Sequence, residues 1–411
     1  MSERPKKAAE SCGTATTDVG CTPAGFSKLL ARTALVHDWL DTWRGGENVL
    51  AELVAIFPDA DLFALVDFLP DEWRSRLAGK RARTSFLQHL PFARKRFRNY
   101  LPLMPTAIES LDVGAYDLVL STSHAVAKGV RTRADQLHLC YCFTPMRYAW
   151  DLSEQYLAVS GVGSGIAGPL ARGILRRLRD WDRRTSDRVD QFIAISDYVR
   201  QRIRRCYDRD ATVIHPPVDV DFYTRDATLP APAERRYYLT ASRWVPYKRI
   251  DAIVAAFKAL PERHLIVVGD GPEAPRVRAA AGANVEFVGE VPRERLRDLL
   301  RGARAFLFAA EEDFGILPVE AQACGTPVIA YGRGGARETV IDDGDKFTGA
   351  FFDEQTSAAI ADAVTRFDAR IGGVDAAACV HNAQRFANER FAHEFRTFVD
   401  CAYTAFRAGR R

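Results

Sequence analysis

The stretch EEDFGILPVEAQACGTPVIAYGRGGARE, residues 311–338, decides the reading of this chain. It sets Glu312 and Glu320 eight apart, with Phe314, Gly315 and Pro318 between them. A continuous helix would bring residues eight apart close to one face. Pro318 argues against that, because a residue without an N–H fits best in the first turn of a helix. The expectation is a loop over 312–317, a short helix over 318–324 stopped by Gly325, and a buried strand in PVIAY. Such a loop aims the N–H groups of Gly315, Ile316 and Leu317 at whatever sits over the helix N-terminus, a ready site for an anion or a hydroxyl. Glu312 on the loop and Glu320 in the first turn can then both accept from a polyhydroxylated ligand. Two carboxylates alone would mean only a solvated surface; the whole block in register argues for a site.

Outward from this block, apolar strand-like runs alternate with amphipathic ones, the pattern of an α/β fold with mostly parallel sheets. At 411 residues the chain is long for one core and comfortable for two. Strands are expected at 33–40, 61–65, 118–121, 136–143 and 191–196, and helices at 180–190 and 197–207. The Pro-rich, acid-rich run 216–235 has no period and is read as a linker. A second α/β run starts at RYYLTAS, and 376–411 is long, helical and spotted with aromatics. The expected division is therefore a disordered segment 1–30, a first domain 31–215, the linker 216–235, a second domain 236–375 and a C-terminal helix 376–411.

Strand ends in open α/β sheets face the ligand crevice, so the residues just after each strand are the candidates for chemistry. Arg243 and Lys248 follow the first strand of the second domain in SRWVPYKRID. Two fixed cations there suit a diphosphate, Arg through its planar fork and Lys as a point charge. Gly269-Asp270-Gly271 closes another strand, but Ala274 occupies the place a dinucleotide fingerprint would give to its third glycine. In the first domain Gly45-Gly46 follows strand one, where no side chain obstructs a backbone approach. His37-Asp38, His124 with Lys128, and Arg147, Tyr148 and Trp150 stand at further strand ends.

Residues 311–338 resemble the E-x7-E segment of retaining glycosyltransferases of family 4, and SRWVPYKRID resembles that family's diphosphate-binding pair. The resemblance covers roughly residues 33–405. It implies a GT-B fold: two facing Rossmann-like domains, an interdomain cleft and a C-terminal helix crossing back to the first domain. It implies that Glu312 lies by the donor sugar, Glu320 on the ribose, and Arg243 and Lys248 on the diphosphate. Gly269 and Asp270 would line the nucleotide pocket, residues 287–291 would read the base, and Gly45 and Gly46 would lie beside donor phosphate and acceptor. Many members carry histidine where this chain has Phe143; either His124 substitutes for it or the enzyme is altered. Asp219-x-Asp221 formally matches a metal-binding pair of a different glycosyltransferase fold, but family 4 carries similar linker residues without metal. Neither metal nor cofactor is expected beyond the nucleotide sugar.

The strings HDWL-x-x-x-RGGE and TPMRYAWD look most like bacterial mannosyltransferases of surface-polysaccharide assembly, which implies GDP-mannose and a polyprenyl-linked saccharide acceptor. From Trp73 to Ile108 there is no acid but nine Lys or Arg, with Phe86, Leu87, Leu90, Phe92, Phe97 and Leu101 among Arg94, Lys95, Arg96 and Arg98. Such a mixed surface can adsorb to anionic lipid, and with the rest of the chain it favours a membrane over nucleic acid. A net charge of +4 is too mild to imply nucleic-acid binding globally. The eight cysteines lack paired CxxC spacing, so neither a zinc site nor a disulfide framework is suggested. Residues 1–26 have no apolar core for a secretory signal, and 155–171 carry four glycines and a proline, too weakly apolar to span a bilayer. The expected place is the cytoplasmic face of the membrane. A UDP-sugar enzyme of the same family, a catalytically silent nucleotide-sugar binder and a nicotinamide oxidoreductase remain the alternatives.

Overall fold

The computed structural model describes residues 32–147, 149–150, 167–344 and 346–409; the segment 1–30, Tyr148 and residues 155–166 lie outside them. The chain forms two compact units. One holds the described residues up to Ile193, Cys206–Asp210 and those from His393 on; the other holds Ala194–Arg205 and Ala211–Ala392.

The first sheet is built from β1 (Thr33–His37), β2 (Asp61–Ala64), β3 (Arg83–Thr84), β4 (Leu118–Ser123), β5 (Leu137–Cys142), β6 (Gln191–Ala194) and β7 (Ala211–Val213). Its strand order is β3-β2-β1-β4-β5-β6-β7. The runs TALVH, LVLSTS and LHLCYC do not alternate, and every residue in them is buried. That is what a parallel strand covered on both faces requires. Pairing is parallel, with His37 opposite Ala64 on one side and Thr122 on the other.

The second sheet uses β8 (Tyr237–Ala241), β9 (His264–Val268), β10 (Val285–Gly289), β11 (Ala303–Phe308), β12 (Val328–Tyr331) and β13 (Gly349–Phe352). Its order, β10-β9-β8-β11-β12-β13, follows the same path as the first six strands of the first sheet. Both sheets are therefore doubly wound and reverse direction once, between β1 and β4 and between β8 and β11. Loops at the carboxyl ends of those strands form the natural crevice.

Helices that bear on the site are α1 (Gly45–Ile56), α2 (Ala167–Thr185), α3 (Asp197–Tyr207), α4 (Arg293–Gly302), α5 (Ile316–Ala323), α6 (Ala376–Gln384) and α7 (Asn388–Ala408). Several differ from the sequence reading. The helix expected over 180–190 is displaced, ending at Thr185 in α2. Strand one stops at His37 rather than Leu40, because Asp38 turns to collect four backbone N–H groups from the loop after β4. The run 216–235, expected as a linker, packs within the second unit. Val218, Val220 and Tyr223 are buried there, and the Val218 N–H donates to Phe386 O at 2.8 Å. The C-terminal helix is two helices, α6 and α7, broken where Val218 bridges to Ala387. From His393 onward α7 belongs to the first unit, where Phe395 packs edge-on against Phe57 and against Tyr141.

Candidate functional site

In the second unit the loops after β8, β9 and β11 gather the sequence-predicted residues. The turn after β9 is pressed against the loop after β8. A Cβ on Gly269, whose φ is +108°, would stand 1.9 Å from Ser242 O, and one on Gly271 would stand 2.4 Å from Trp244 O. The glycines of this turn are thus required by close backbone packing. Trp244, fully buried, locks the loop by donating its N–H to Asp270 O at 2.8 Å and accepting from the Glu273 N–H at 3.1 Å. Arg243, between the anchored residues, is left exposed at the rim of a cavity of about 500 Å³ lined also by Asp270, Gly271 and Glu290.

Lys248 ends a short turn, Pro246–Lys248, and its ammonium pairs directly with the Glu312 carboxylate. It lies over the Phe308 ring at 6.0 Å, so β11 contributes to its seat. Glu312, Lys248 and the α5 N-terminus therefore share the β8/β11 switch point. The helix starts earlier than expected: α5 begins at Ile316 and is preceded by Gly315 at φ +86°, with Pro318 in its third position. A missing N–H anywhere in the first turn costs no intrahelical bond, so Pro318 does not mark the start. Ile316 and Leu317 lie in that first turn, and their N–H groups take no protein acceptor outside the helix among the described residues. The RGGARE loop supports this segment from beneath. The Gly335 N–H donates to Glu312 O at 2.9 Å, and a Cβ on Gly334 would stand 2.3 Å from that same oxygen.

Of the three acids Glu311, Glu312 and Asp313, two are taken by α3. The Tyr198 hydroxyl donates to Glu311 at 2.5 Å, and Arg202 pairs with Asp313. Glu320 sits apart from Glu312, in a nest built by α4 and residues 219–223. Arg293 donates to Asp219 at 2.6 Å and lies over Phe222 at 3.9 Å and Tyr223 at 5.2 Å. Burial, abetted by Asp219, pushes the Glu320 carboxyl up to about 7 against the opposing pull of Arg293 and Tyr223. Sequence reasoning missed this nest, and the Asp219 it weighed as a metal ligand is an ion-pair partner of Arg293. More than seventy residues separate the two, so no local pattern could have announced it.

In the first unit, Gly45 and Gly46 open α1. A Cβ on Gly46 would make ordinary contact with Phe143, at 3.5 Å, and with His37, at 3.8 Å, so packing does not demand a glycine there. Around it lie two buried polar pairs. His37 Nδ1 bonds Thr122 Oγ1 at 2.7 Å while its Nε2 stands 3.7 Å from Glu47. His124 Nδ1 stands 2.9 Å from Asp38. Phe143 lies against both imidazoles, 6.5 Å from His37 and 6.3 Å from His124. Lys128, grouped with His124 in the sequence, does not reach this place. It is buried with its ammonium on Asp182 at 2.8 Å and under the Trp181 and Tyr207 rings. A buried ammonium needs such a partner, so Lys128 holds the fold. Trp150 likewise donates to Asp182 at 2.8 Å.

The basic run of the first unit is partly core. Leu87, Phe97 and Leu101 are buried, whereas Phe86 and Leu103 are exposed and Phe92, at φ +57°, is 76% exposed. Arg94, Lys95 and Arg96 are exposed beside Phe92; Arg98 pairs with Asp41 at 2.7 Å and covers Phe97. Among the described residues no helix is long and apolar enough to cross a membrane.

A doubly wound unit with cations and a helix N-terminus at its switch point suits an anionic, nucleotide-like ligand. Two family models match: glycosyltransferase family 4 over residues 43–222 and glycosyl transferases group 1 over 223–369. The chain belongs to glycosyltransferase family 4. Among its curated relatives is a GDP-mannose-dependent monoacylated alpha-(1-6)-phosphatidylinositol monomannoside mannosyltransferase of Corynebacterium glutamicum, 28% identical over 54% of this chain and 65% of that protein. The Mycobacterium tuberculosis GDP-mannose-dependent alpha-(1-6)-phosphatidylinositol monomannoside mannosyltransferase is 32% identical over 48% of this chain and 55% of its own length. The chain thus spans between half and two thirds of these curated relatives. Among solved structures, sucrose-phosphate synthase from Thermosynechococcus elongatus aligns with a TM-score of 0.68 at 22% identity, over 91% of this chain and 99% of that one. Anabaena Alr3699/HepE in complex with UDP aligns at 0.63 and 18%, over 90% and 100%. These likenesses carry the fold, GT-B with two Rossmann-like domains.

Proposed function

We propose that the chain transfers a sugar, mannose from GDP-mannose, to a lipid-linked saccharide acceptor with retention of anomeric configuration and without a metal. The observation that carries this reading is the meeting of Lys248 with Glu312 just before the α5 N-terminus, at the switch point beside β8, the strand that Arg243 also follows. In this proposal Arg243 and Lys248 take the diphosphate, Glu320 the ribose and Glu312 the sugar; the acceptor enters over the first unit near Gly45, Gly46 and His124. The bond from the anomeric carbon to the diphosphate breaks, and the acceptor oxygen bonds to the same face. The acceptor proton passes to the departing phosphate oxygen. Two cations and a helix N-terminus stabilise the charge that develops on the leaving group. GDP-mannose is favoured because relatives named for it are 28% and 32% identical over 54% and 48% of this chain.

We further propose that the chain docks on the inner face of the membrane through Phe86, Phe92 and Leu103 with Arg94, Lys95 and Arg96. Apolar side chains that insert and cations that meet anionic headgroups reinforce each other.

Calorimetric titration with GDP, UDP and ADP under chelation tests the donor. Selective GDP binding supports mannose; UDP selectivity keeps the family and discards mannose; binding of none defeats the reading. Neutralising Arg94, Lys95, Arg96 and Arg98 together is expected to reduce sedimentation with anionic vesicles, and unchanged sedimentation sinks the docking proposal.

A further inference from the structure

Trp43 and Trp73 meet at the surface of the first unit. Their rings are stacked, 5.4 Å between centroids and 16° between planes, within the range that aromatic pairs prefer. Trp43 stands in the turn before α1, where its N–H donates to Asn48 Oδ1 at 2.7 Å; Trp73 comes from the short 3₁₀ turn Asp71–Leu77. The apolar core of this unit takes Trp39 and Trp181 but neither of these two, and both remain only partly buried. Two large rings held together outside the core and partly in water form a platform, the kind of apolar surface that marks a binding site.

Polar groups complete it. The Trp73 N–H takes no acceptor among the described residues and is not sealed from solvent. Arg76, exposed on the same turn, places its guanidinium 5.3 Å from the Trp43 centroid and 5.1 Å from the Trp73 centroid, distances at which a ring attracts a cation. Among the described residues no carboxylate neutralises it: Asp71 pairs with Arg81 at 2.8 Å, and Glu72 makes no ion pair. An indole face suits the C–H face of a pyranose, while an indole N–H and a guanidinium bond hydroxyl and phosphate oxygens. Because the rings are already held on each other and on Asn48, little freedom is lost when a ligand arrives.

We propose that Trp43, Trp73 and Arg76 form a saccharide subsite of the first unit, which receives the sugar next to the phosphate of a lipid-linked acceptor. This rests on the glycosyltransferase reading above and names where the acceptor saccharide lies. Two observations favour that occupant. Trp43 stands two residues before Gly45, where α1 opens. Asp41, two residues before Trp43, pairs with Arg98 at 2.7 Å, which ties the turn to the basic segment proposed to meet the membrane. An acceptor whose lipid stays in that membrane presents its saccharide beside this turn.

The full chain tests the subsite with two soluble probes, α-D-glucose 1-phosphate and methyl α-D-glucopyranoside, whose equatorial ring hydroxyls leave flat C–H faces. Binding is read by saturation-transfer NMR and tryptophan fluorescence under saturating GDP, which occupies the donor side. Both probes are expected to bind, the phosphorylated one more tightly. Trp73→Leu is expected to weaken both about tenfold, as for loss of an aromatic stacking partner, with GDP affinity and melting temperature unchanged. Arg76→Gln is expected to weaken glucose 1-phosphate about threefold, as for an exposed charge pair, and to spare the neutral glycoside. Binding of neither probe by the wild type, or binding that Trp73→Leu leaves unchanged, overturns the subsite. Should Trp73→Leu fail to fold, the exposed Arg76→Gln decides, and unchanged affinity for glucose 1-phosphate overturns it. Trp73→Leu that loses sedimentation with phosphatidylglycerol vesicles but keeps sugar binding assigns the platform to the bilayer and also overturns it. Absence of GDP binding in the wild type would defeat the donor reading alone; the response of the sugar probes to Trp73→Leu would still decide the subsite.

Discussion

The two sheets share a strand order, yet the loops at their switch points are finished in opposite ways. After β4 the chain turns four N–H groups inward and the protein supplies the anion itself, Asp38. After β11 the first-turn N–H groups of α5 meet no such carboxylate among the described residues, and the nearby Glu312 is drawn onto Lys248. One loop is closed by its own acid; at the other, the Ile316 and Leu317 N–H groups take no protein acceptor outside the helix among the described residues. A shared strand path thus leaves one switch-point loop tied to its own carboxylate and the other without one. The difference lies in where one carboxylate stands.

The contrast can be broken at several points. Glu312→Gln is expected to cut turnover by about 10²–10³-fold, the usual cost of removing one preorganised polar group from a transition state, with GDP affinity no weaker. Full activity in that variant would remove Glu312 from the donor side. Lys248→Ala is expected to weaken GDP binding by about 2 kcal/mol, roughly 30-fold, as for a lost charge-assisted contact. Unchanged affinity by calorimetry would show that the open loop does not bind through its cations.

Glu320 sharpens the comparison by pH. Its carboxyl stands at about 7 against an ordinary 4.5, so the unliganded fold holds a proton that the unfolded chain releases. Stability from this group therefore falls as pH rises from about 4.5 to about 7 and then levels. The ionised carboxylate is the stronger acceptor for ribose hydroxyls, so nucleotide affinity runs the other way. It is expected to rise with pH up to about 7, by at most roughly tenfold per unit, with a proton released on binding. Glu320→Gln is expected to flatten both slopes; a slope that survives would assign the proton elsewhere. The smallest effect belongs to the first unit's surface: Phe92→Ser is expected to weaken partition onto anionic vesicles by about 1 kcal/mol, and no change in sedimentation would leave the basic residues to act alone.

Much of the fold was legible because parallel strands covered on both faces read as unbroken apolar runs, as in TALVH and LHLCYC. The second unit's site was legible for a related reason: Arg243, Lys248 and Glu312 each fall within a few residues of such a run. The start of α5 was misplaced because Pro318 is tolerated anywhere in a first turn. Residues 216–235 looked like a linker because a segment without period can still bury single side chains, here Val218, Val220 and Tyr223. Lys128 looked like a site residue because sequence shows that it follows a strand, not that Asp182 lies under it.

By itself the sequence determined the α/β class, the family, and which strand ends carry cations and acids, since these follow from local runs and motifs. Only the tertiary structure decided which of those charges are spent within the fold. Asp38 meets N–H groups some 85 residues away, Asp219 meets Arg293 at 74, and Lys248 meets Glu312 across the switch point. A charge's availability depends on what the fold brings within about 3 Å of it, and no pattern along the chain encodes that distance.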